Sequence, residues 1–246
     1  MRARTTCAII PARGGSKGVP KKNIKYLKDF PLIAYSIAAA KLSGKTERVI
    51  VSTESKEIAD VAETYGAEVP FLRPPEFAQD RSPDIDFIKH AIAWFREHET
   101  FCPDLLVHLR PTTPLRDPAL IDKAIDDING KDEATALRSV HELSEPPHKM
   151  FCIENGYLAG FFPADPRPEY YNLPRQIFPK AYHPNGYVDI IRTDFVTKTN
   201  TLHGPRMIGF VTPVTIEIDT PEEFSMLEYS LEKSAHPLHE YLTQHY

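Results

Sequence analysis

The chain has 246 residues, 41% of them hydrophobic and 26% charged, with a formal net charge of −5. That length suits one large α/β domain, and the acidic balance argues against a nucleic-acid binder, which needs a basic surface to replace the counterions around phosphates. No apolar run approaches the roughly 20 residues needed to cross a bilayer, and the start "MRARTTCAII" leads straight into a strand rather than a cleavable signal. The expectation is a cytoplasmic protein with neither nucleic acid nor membrane as partner.

In chain order, Ala8, Ile9 and Ile10 predict a strand over Cys7–Pro11, and Gly14, Gly15 and Gly18 a turn after it. There follow a helix over Leu32–Leu42, a strand over Arg48–Ser52, a helix over Lys56–Tyr65 and a strand over Val69–Leu72. The pattern continues with a helix over Ile85–Arg96, a strand over Leu105–Leu109, a helix over Pro118–Ile128 and a strand over Ala134–Val140. Short apolar strands alternating with three-turn helices predict a doubly wound, mostly parallel sheet. Gly44 and Gly66 fall just past two helix ends, and Asp117 precedes Pro118 as a cap before a first-turn proline.

From about 145 to 184 the chain turns rich in proline and aromatics and loses helical period, which predicts an inserted arm on a single domain spanning 1–246. Phe161, Phe162, Tyr170 and Tyr171 have no obvious core partner inside it, the mark of an interface. "YVDIIR", "RMIGFV" and "TIEID" then read as strands, and a last helix over Pro221–Lys233 is capped by Thr220 with Glu223 at the capping-box position. Cys7, Cys102 and Cys152 are widely spaced, and the ten histidines show no HExxH spacing, so neither a disulfide framework nor a zinc site is expected.

Two constellations carry chemistry. Arg13, Lys17, Lys21, Lys22, Lys25 and Lys28 follow one another without an acidic residue between them, next to a glycine turn whose N–H groups can form an anion-binding nest. Neither Gly-x-x-x-x-Gly-Lys-Ser/Thr nor Gly-x-Gly-x-x-Gly fits, so the expected ligand is a triphosphate held by Arg13 with Lys17 or Lys22. Glu217 and Asp219 lie two apart, which on a strand puts both carboxylates on one face, where they can meet one magnesium ion.

"IPARGGSKGVPKKNIK", followed by "PLIAYSIAAA", "VIVSTES", "RPPEFAQD", "LRPTTPLR", "PRQ", "PNG" and "IEID" in that order, resembles the acylneuraminate cytidylyltransferases, the CMP-sialic acid synthetases and their bacterial nonulosonate relatives. The resemblance implies a nucleotide-diphospho-sugar transferase-like fold and a dimerisation arm. It implies CTP contacts from Ala12, Arg13, Gly14, Ser16, Lys17, Gly18, Lys22 and Asn23, with Arg73 and Asp84 by the cytosine. Arg110, Thr112, Thr113, Gln176 and Asn185 would meet the sugar, and Lys149 and Arg175 would bind its carboxylate across a homodimer boundary. Relatives commonly carry serine at the place of Asp84, glutamine at Arg110 and aspartate at Glu217.

The function so implied is CTP-dependent activation of a nine-carbon acidic α-keto sugar to its CMP-sugar, with magnesium as cofactor and Arg13, Lys22 and Asp219 as the catalytic groups. The alternatives are another acidic sugar or a phosphonate as acceptor, or a sugar-nucleotide-binding module without turnover.

Overall fold

In the computed structural model, which describes residues 4–246, the strand β1 (Thr6–Pro11) is buried on both sides. Successive side chains on a strand point to opposite faces. Ala8 and Ile10 accordingly join one apolar cluster and Cys7 and Ile9 another. A hairpin of β2 (Tyr26–Leu27) and β3 (Phe30–Pro31) leads into α1 (Leu32–Leu42), then β4 (Arg48–Ser52), α2 (Lys56–Thr64), α3 (Asp84–His98), β5 (Leu105–His108) and α4 (Pro118–Asn129). Next come β6 (Ala136–Glu142), a hairpin of β7 (Phe151–Glu154) and β8 (Tyr157–Gly160), β9 (Tyr182–Arg192) and α5 (Thr193–Thr199). β10 (Met207–Val211), α6 (Pro221–Lys233) and α7 (Pro237–His245) complete the chain.

The main sheet has the order β10-β6-β9-β5-β1-β4. β1 is parallel to both β4 and β5, β10 is parallel to β6, and β9 runs antiparallel between β5 and β6. Residues of α1, α2, α4, α6 and α7 fill the cluster on one face, and those of α3 and α5 the other. α1 is buried from Leu32 to Ala40; the alanines at 38–40 let it lie close to its neighbours, including α7. Each fully buried isoleucine or leucine contributes about 1.5–3 kcal/mol. The helix starts follow local chemistry: Ser55 Oγ accepts from Ile58 N, Asp117 from Ala119 N, and Thr220 and Glu223 form the capping box. Among the described residues no helix is long and apolar enough to cross a membrane.

Three expectations need correction. Val69–Leu72 is no strand: Pro70 cannot donate to a ladder, and only the isolated bridges Ile50↔Glu68 and Thr53↔Leu72 form along the edge of β4. "TIEID" also lies outside any ladder, its last residue in a bend, and is tied by Ile218 N to Thr112 O at 2.8 Å. The arm, finally, satisfies much of its own aromatic surface. Phe162 and Phe178 stack on either side of His148 at 4.0 and 4.5 Å, Tyr170 is buried, and Tyr171 packs on Phe151. Phe161 stays exposed, but the larger apolar patch is Ile153, Tyr157 and Leu158 on the β7–β8 hairpin. The arm leaves and returns between neighbours paired as far as Glu142↔Tyr182, so topologically it is one long hairpin connection.

His108 ends β5 edge-to-face on Phe87, fully buried, its Nε2 without a hydrogen-bond partner. Burial, helped by the charge of Arg110, pushes its pKa down to about 3. In the unfolded chain it titrates near 6.5. Between those values the unfolded state binds more protons, so stability is lost as pH falls through that window. Denaturant titrations should show His108 alone costing the wild type about 2 kcal/mol between pH 7 and pH 5. His108→Gln should flatten the pH dependence by that amount; equal slopes in both proteins would remove His108 as its source.

Candidate active site

The chain reverses its direction of travel across the sheet beside β1: β4 is laid down on one side and β5 on the other. α1 follows β1 over one face and α3 precedes β5 on the opposite face. Such a switch point opens a crevice at the carboxyl ends of the strands. An open cleft of about 420 Å³ lies there, lined from Pro11 and Arg13 after β1 and from Arg110 to Thr112 after β5.

On one wall stand Arg13, Ser16, Lys17, Gly18, Lys22 and Asn23. Arg13 Nη1 pairs with Asp80 at 3.0 Å, and Lys17 pairs with the other oxygen of the same carboxylate. Those two cations, Lys17 foremost, hold the Asp80 carboxyl below the usual range. Lys22 Nζ donates to Ile218 O at 2.6 Å and to Asp219 Oδ1 at 3.1 Å, joining the loop to the segment before α6. A Cβ on Gly18 would stand 2.2 Å from Asp219 O, so glycine is required where the two backbones meet. Asn23 is buried and donates to Arg13 O at 2.8 Å, a positioning contact. Gly14 N is taken up by Glu54 Oε1 at 2.7 Å, and Ala12 N bonds to Ser52 O. The rest of the basic run turns elsewhere: Lys21, at φ 53°, pairs with Glu57, and Lys25 lies over the Phe224 ring.

The second wall holds Arg73, Phe77, Ser82, Asp84 and Phe87. Burial lowers the pKa of Arg73, whose Nη2 is 3.3 Å from Glu54 Oε2 and whose guanidinium lies over Phe87. Arg110 pairs with Asp84 and with Asp189. Arg116, fully buried, donates to Tyr187 O at 2.6 Å, Ser36 Oγ at 2.8 Å, Gly186 O at 3.2 Å and Arg110 O, and so ties the loop after β5 to the turn within β9. Burial pulls its pKa down. Gly186 has φ +62°, and a Cβ there would meet Thr113 Oγ1 at 3.1 Å.

Of the sequence-predicted residues, Arg13, Ser16, Lys17, Gly18, Lys22, Asn23, Arg73, Asp84, Arg110, Thr112, Glu217 and Asp219 all line this cleft. Thr113 and Asn185 lie behind it: Thr113 Oγ1 donates to Asn185 O, and Asn185 Nδ2 to Thr212 Oγ1, so both are spent on holding loops. Lys149, Arg175 and Gln176 stand on the arm outside the cleft, Arg175 donating to Ser144 O. The sequence reading missed Asp80, Glu54 and Asp189. The first two sit inside the motifs "RPPEFAQD" and "VIVSTES" and were legible there; Asp189 reads as an ordinary strand residue.

Glu217 and Asp219 both line the cleft although they are not on a strand. Glu217 Oε1 accepts from Thr112 Oγ1 at 3.1 Å, and Asp219 is largely exposed. Two hard carboxylates at an open cleft fit magnesium, which takes one or two such ligands and completes its shell with phosphate and water. Among the described residues no group of three or more His, Cys, Asp or Glu side chains is placed to hold a metal ion.

Comparison with known proteins agrees with this geometry. Residues 7–155 match the family described as cytidylyltransferase. The chain is 33% identical over 221 residues to an N-acylneuraminate cytidylyltransferase of Escherichia coli, covering 89% of this chain and about half the length of that relative. It is 33% identical over 235 residues to a CMP-N,N'-diacetyllegionaminic acid synthase of Legionella pneumophila, covering 92% and 95% of the two chains. A solved structure of CMP:2-keto-3-deoxy-manno-octonic acid synthetase complexed with CTP superposes with a TM-score of 0.67 at 14% identity, over 93% of this chain and 99% of that one, and shares the fold. With its basic loop and acidic segment facing each other at the switch point, the chain belongs to the cytidylyltransferase family of nucleotidyltransferases.

Proposed function

We propose that this protein transfers the cytidylyl group of CTP to the anomeric hydroxyl of a nine-carbon acidic α-keto sugar. The supporting observation is that Arg13, Lys17 and Lys22 share one cleft with Glu217 and Asp219. The sugar hydroxyl oxygen attacks the α-phosphorus in line and gives up its proton to water in the open cleft, the bond from that phosphorus to the bridging oxygen breaks, and pyrophosphate leaves with that oxygen. Such chemistry needs positioning and charge neutralisation rather than a covalent intermediate. On CTP entry the phosphates replace Asp80 as the partner of Arg13 and Lys17, and Lys22 turns from Asp219 to the phosphates. Asp219, with Glu217, would hold a magnesium ion, which when bound supplies positive charge beside the phosphates. The names of the relatives, acting on acylneuraminate and diacetyllegionaminate, support an acidic sugar as acceptor. We place the reaction in the cytoplasm.

The arm makes a homodimer in this reading. Ile153, Tyr157 and Leu158 form an exposed apolar patch on the hairpin, and a two-fold pair would cover it. Lys149 and Arg175, which do not line the cleft of their own protomer, would then bind the sugar carboxylate of the neighbour; the planar fork of arginine suits that role.

Pyrophosphate release with CTP, magnesium and a panel of acylneuraminate, diacetyllegionaminate and pseudaminate tests the reading, and no turnover with any of them would sink it. Lys22→Ala should lower kcat/KM for CTP roughly ten- to a hundredfold, the value of a charge-assisted contact; a folded variant with wild-type kcat/KM would remove Lys22 from the site. In a magnesium titration of initial rate, Asp219→Asn should lose on the order of 100-fold or more, Glu217→Gln less, and Glu217→Asp should keep substantial activity. A wild-type metal dependence in Asp219→Asn would move the metal site elsewhere. Light scattering should give a dimer at micromolar concentration, and Tyr157→Glu/Leu158→Glu should give monomers of much reduced activity; a fully active wild-type monomer would rule the arm out as a partner surface.

A further inference from the structure

The charge of Arg110 is already matched inside the protein. Its Nη1 donates to Asp189 Oδ2 at 2.8 Å and its Nη2 to Asp84 Oδ2 at 2.7 Å. Arg138 adds a second cation, with Nε 3.8 Å from the same Asp189 oxygen. Burial lowers the pKa of both His108 and His203, so neither adds charge at neutral pH. Burial works against the Asp84 carboxylate, but the Arg110 guanidinium paired with it outweighs burial and its pKa is lowered; for Arg110, the two carboxylates outweigh burial and its pKa is raised. The group thus holds two cations and two carboxylates, and its net charge is zero.

A guanidinium so placed is a poor receptor for a substrate carboxylate. An incoming anion would have to displace Asp84 or Asp189, and Asp189 is 1% exposed with its Oδ1 already lacking a partner. What Arg110 offers instead is direction: its remaining N–H groups are fixed by two anchors, and Asp84, half-exposed in the cleft, brings a carboxylate acceptor beside them. The pair also lies next to the acidic segment. The point where Gly186 would carry a Cβ is 3.4 Å from Arg110 Cδ and 3.5 Å from Glu217 Oε1.

We propose that Asp84 and Arg110 form a charge-neutral acceptor–donor pair that selects the acceptor sugar through a neutral group bearing both a donor and an acceptor, a hydroxyl or an acylamino substituent, and that Asp189 is the positioning residue that fixes Arg110. The inference rests on the cytidylyl-transfer reading above. The substrate carboxylate is then left to other cations, and an acceptor lacking the neutral group is rejected because Arg110 and Asp84 would lose solvent without gaining a partner.

The test separates nucleotide binding from acceptor kinetics, using the full chain and the best acceptor of the sugar panel. In Arg110→Gln and Asp189→Asn, calorimetry should give a Kd for CTP within about twofold of wild type, while the acceptor KM rises about tenfold or more and kcat falls by a smaller factor. Arg110→Gln/Asp189→Asn should be no worse than Arg110→Gln alone, since Asp189 acts only through Arg110. Arg110→Lys should fail to restore KM, because one ammonium cannot bridge both carboxylates in the same plane. If Asp189→Asn does not fold, Arg110→Gln alone carries the same comparison. An unmoved acceptor KM in Arg110→Gln, or a CTP Kd that weakens in step with it, overturns the inference while the wild-type turnover leaves the reaction standing. A wild type that releases no pyrophosphate with any sugar of the panel overturns both.

Discussion

The cations that line the cleft are each held by a carboxylate from another part of the chain, and this pairing assembles the site. Asp80 holds Arg13 and Lys17, Asp219 holds Lys22, Glu54 reaches both Gly14 N and Arg73, and Asp84 with Asp189 holds Arg110. The partners come from the loops after β1, β4 and β5, from the connection between α2 and α3, from the start of α3, from β9 and from the segment before α6. Like charges crowded at one crevice would repel without such matching. The pairing therefore decides which loops can approach one another, and with it the shape of the cleft.

The pairs differ in how easily they exchange partners, and burial sets the difference. Lys17 and Asp80 are exposed, so water screens their attraction and a polyanion can take the place of the carboxylate at little cost. Asp189 is buried and Arg110 is only partly exposed; removing the partner of a buried charge of that kind costs up to about 3–5 kcal/mol, because the charge is left dry and unpaired. Phosphate entry can thus rearrange the basic loop while Arg110 keeps its direction. Arg116 belongs with the fixed part: it has no carboxylate partner, and its hydrogen bonds go to Ser36 and to backbone carbonyls of β9 and of the loop after β5.

The arm follows from the one strand that runs against its neighbours. Because β9 is antiparallel to β6, the chain can leave the sheet and return beside its point of departure, so the excursion between them needs no crossover. The aromatic stack of Phe162, His148 and Phe178 gives it a small core of its own, and the apolar residues of the hairpin remain outside that core.

Sequence alone was enough for the alternation of strands and helices, the caps at Asp117 and Thr220, the basic loop and the acidic pair, because each rests on local periodicity or on residues close in the chain. It also located the arm, by composition. Proline at 70 defeated an apolar run that otherwise reads as a strand, and α7 carried too few turns to stand out from the tail. Charge pairing over long separations was out of reach of any pattern. Lys22 meets Asp219 across nearly the whole chain, and Asp189, a single acid in an apolar strand, has meaning only once β5 and β9 lie side by side with Arg110 at their end. Local sequence specified which groups were available; the tertiary structure decided which of them are matched within the protein and which can turn to a ligand, because electrostatic energy depends on distance and burial, and neither is written along the chain.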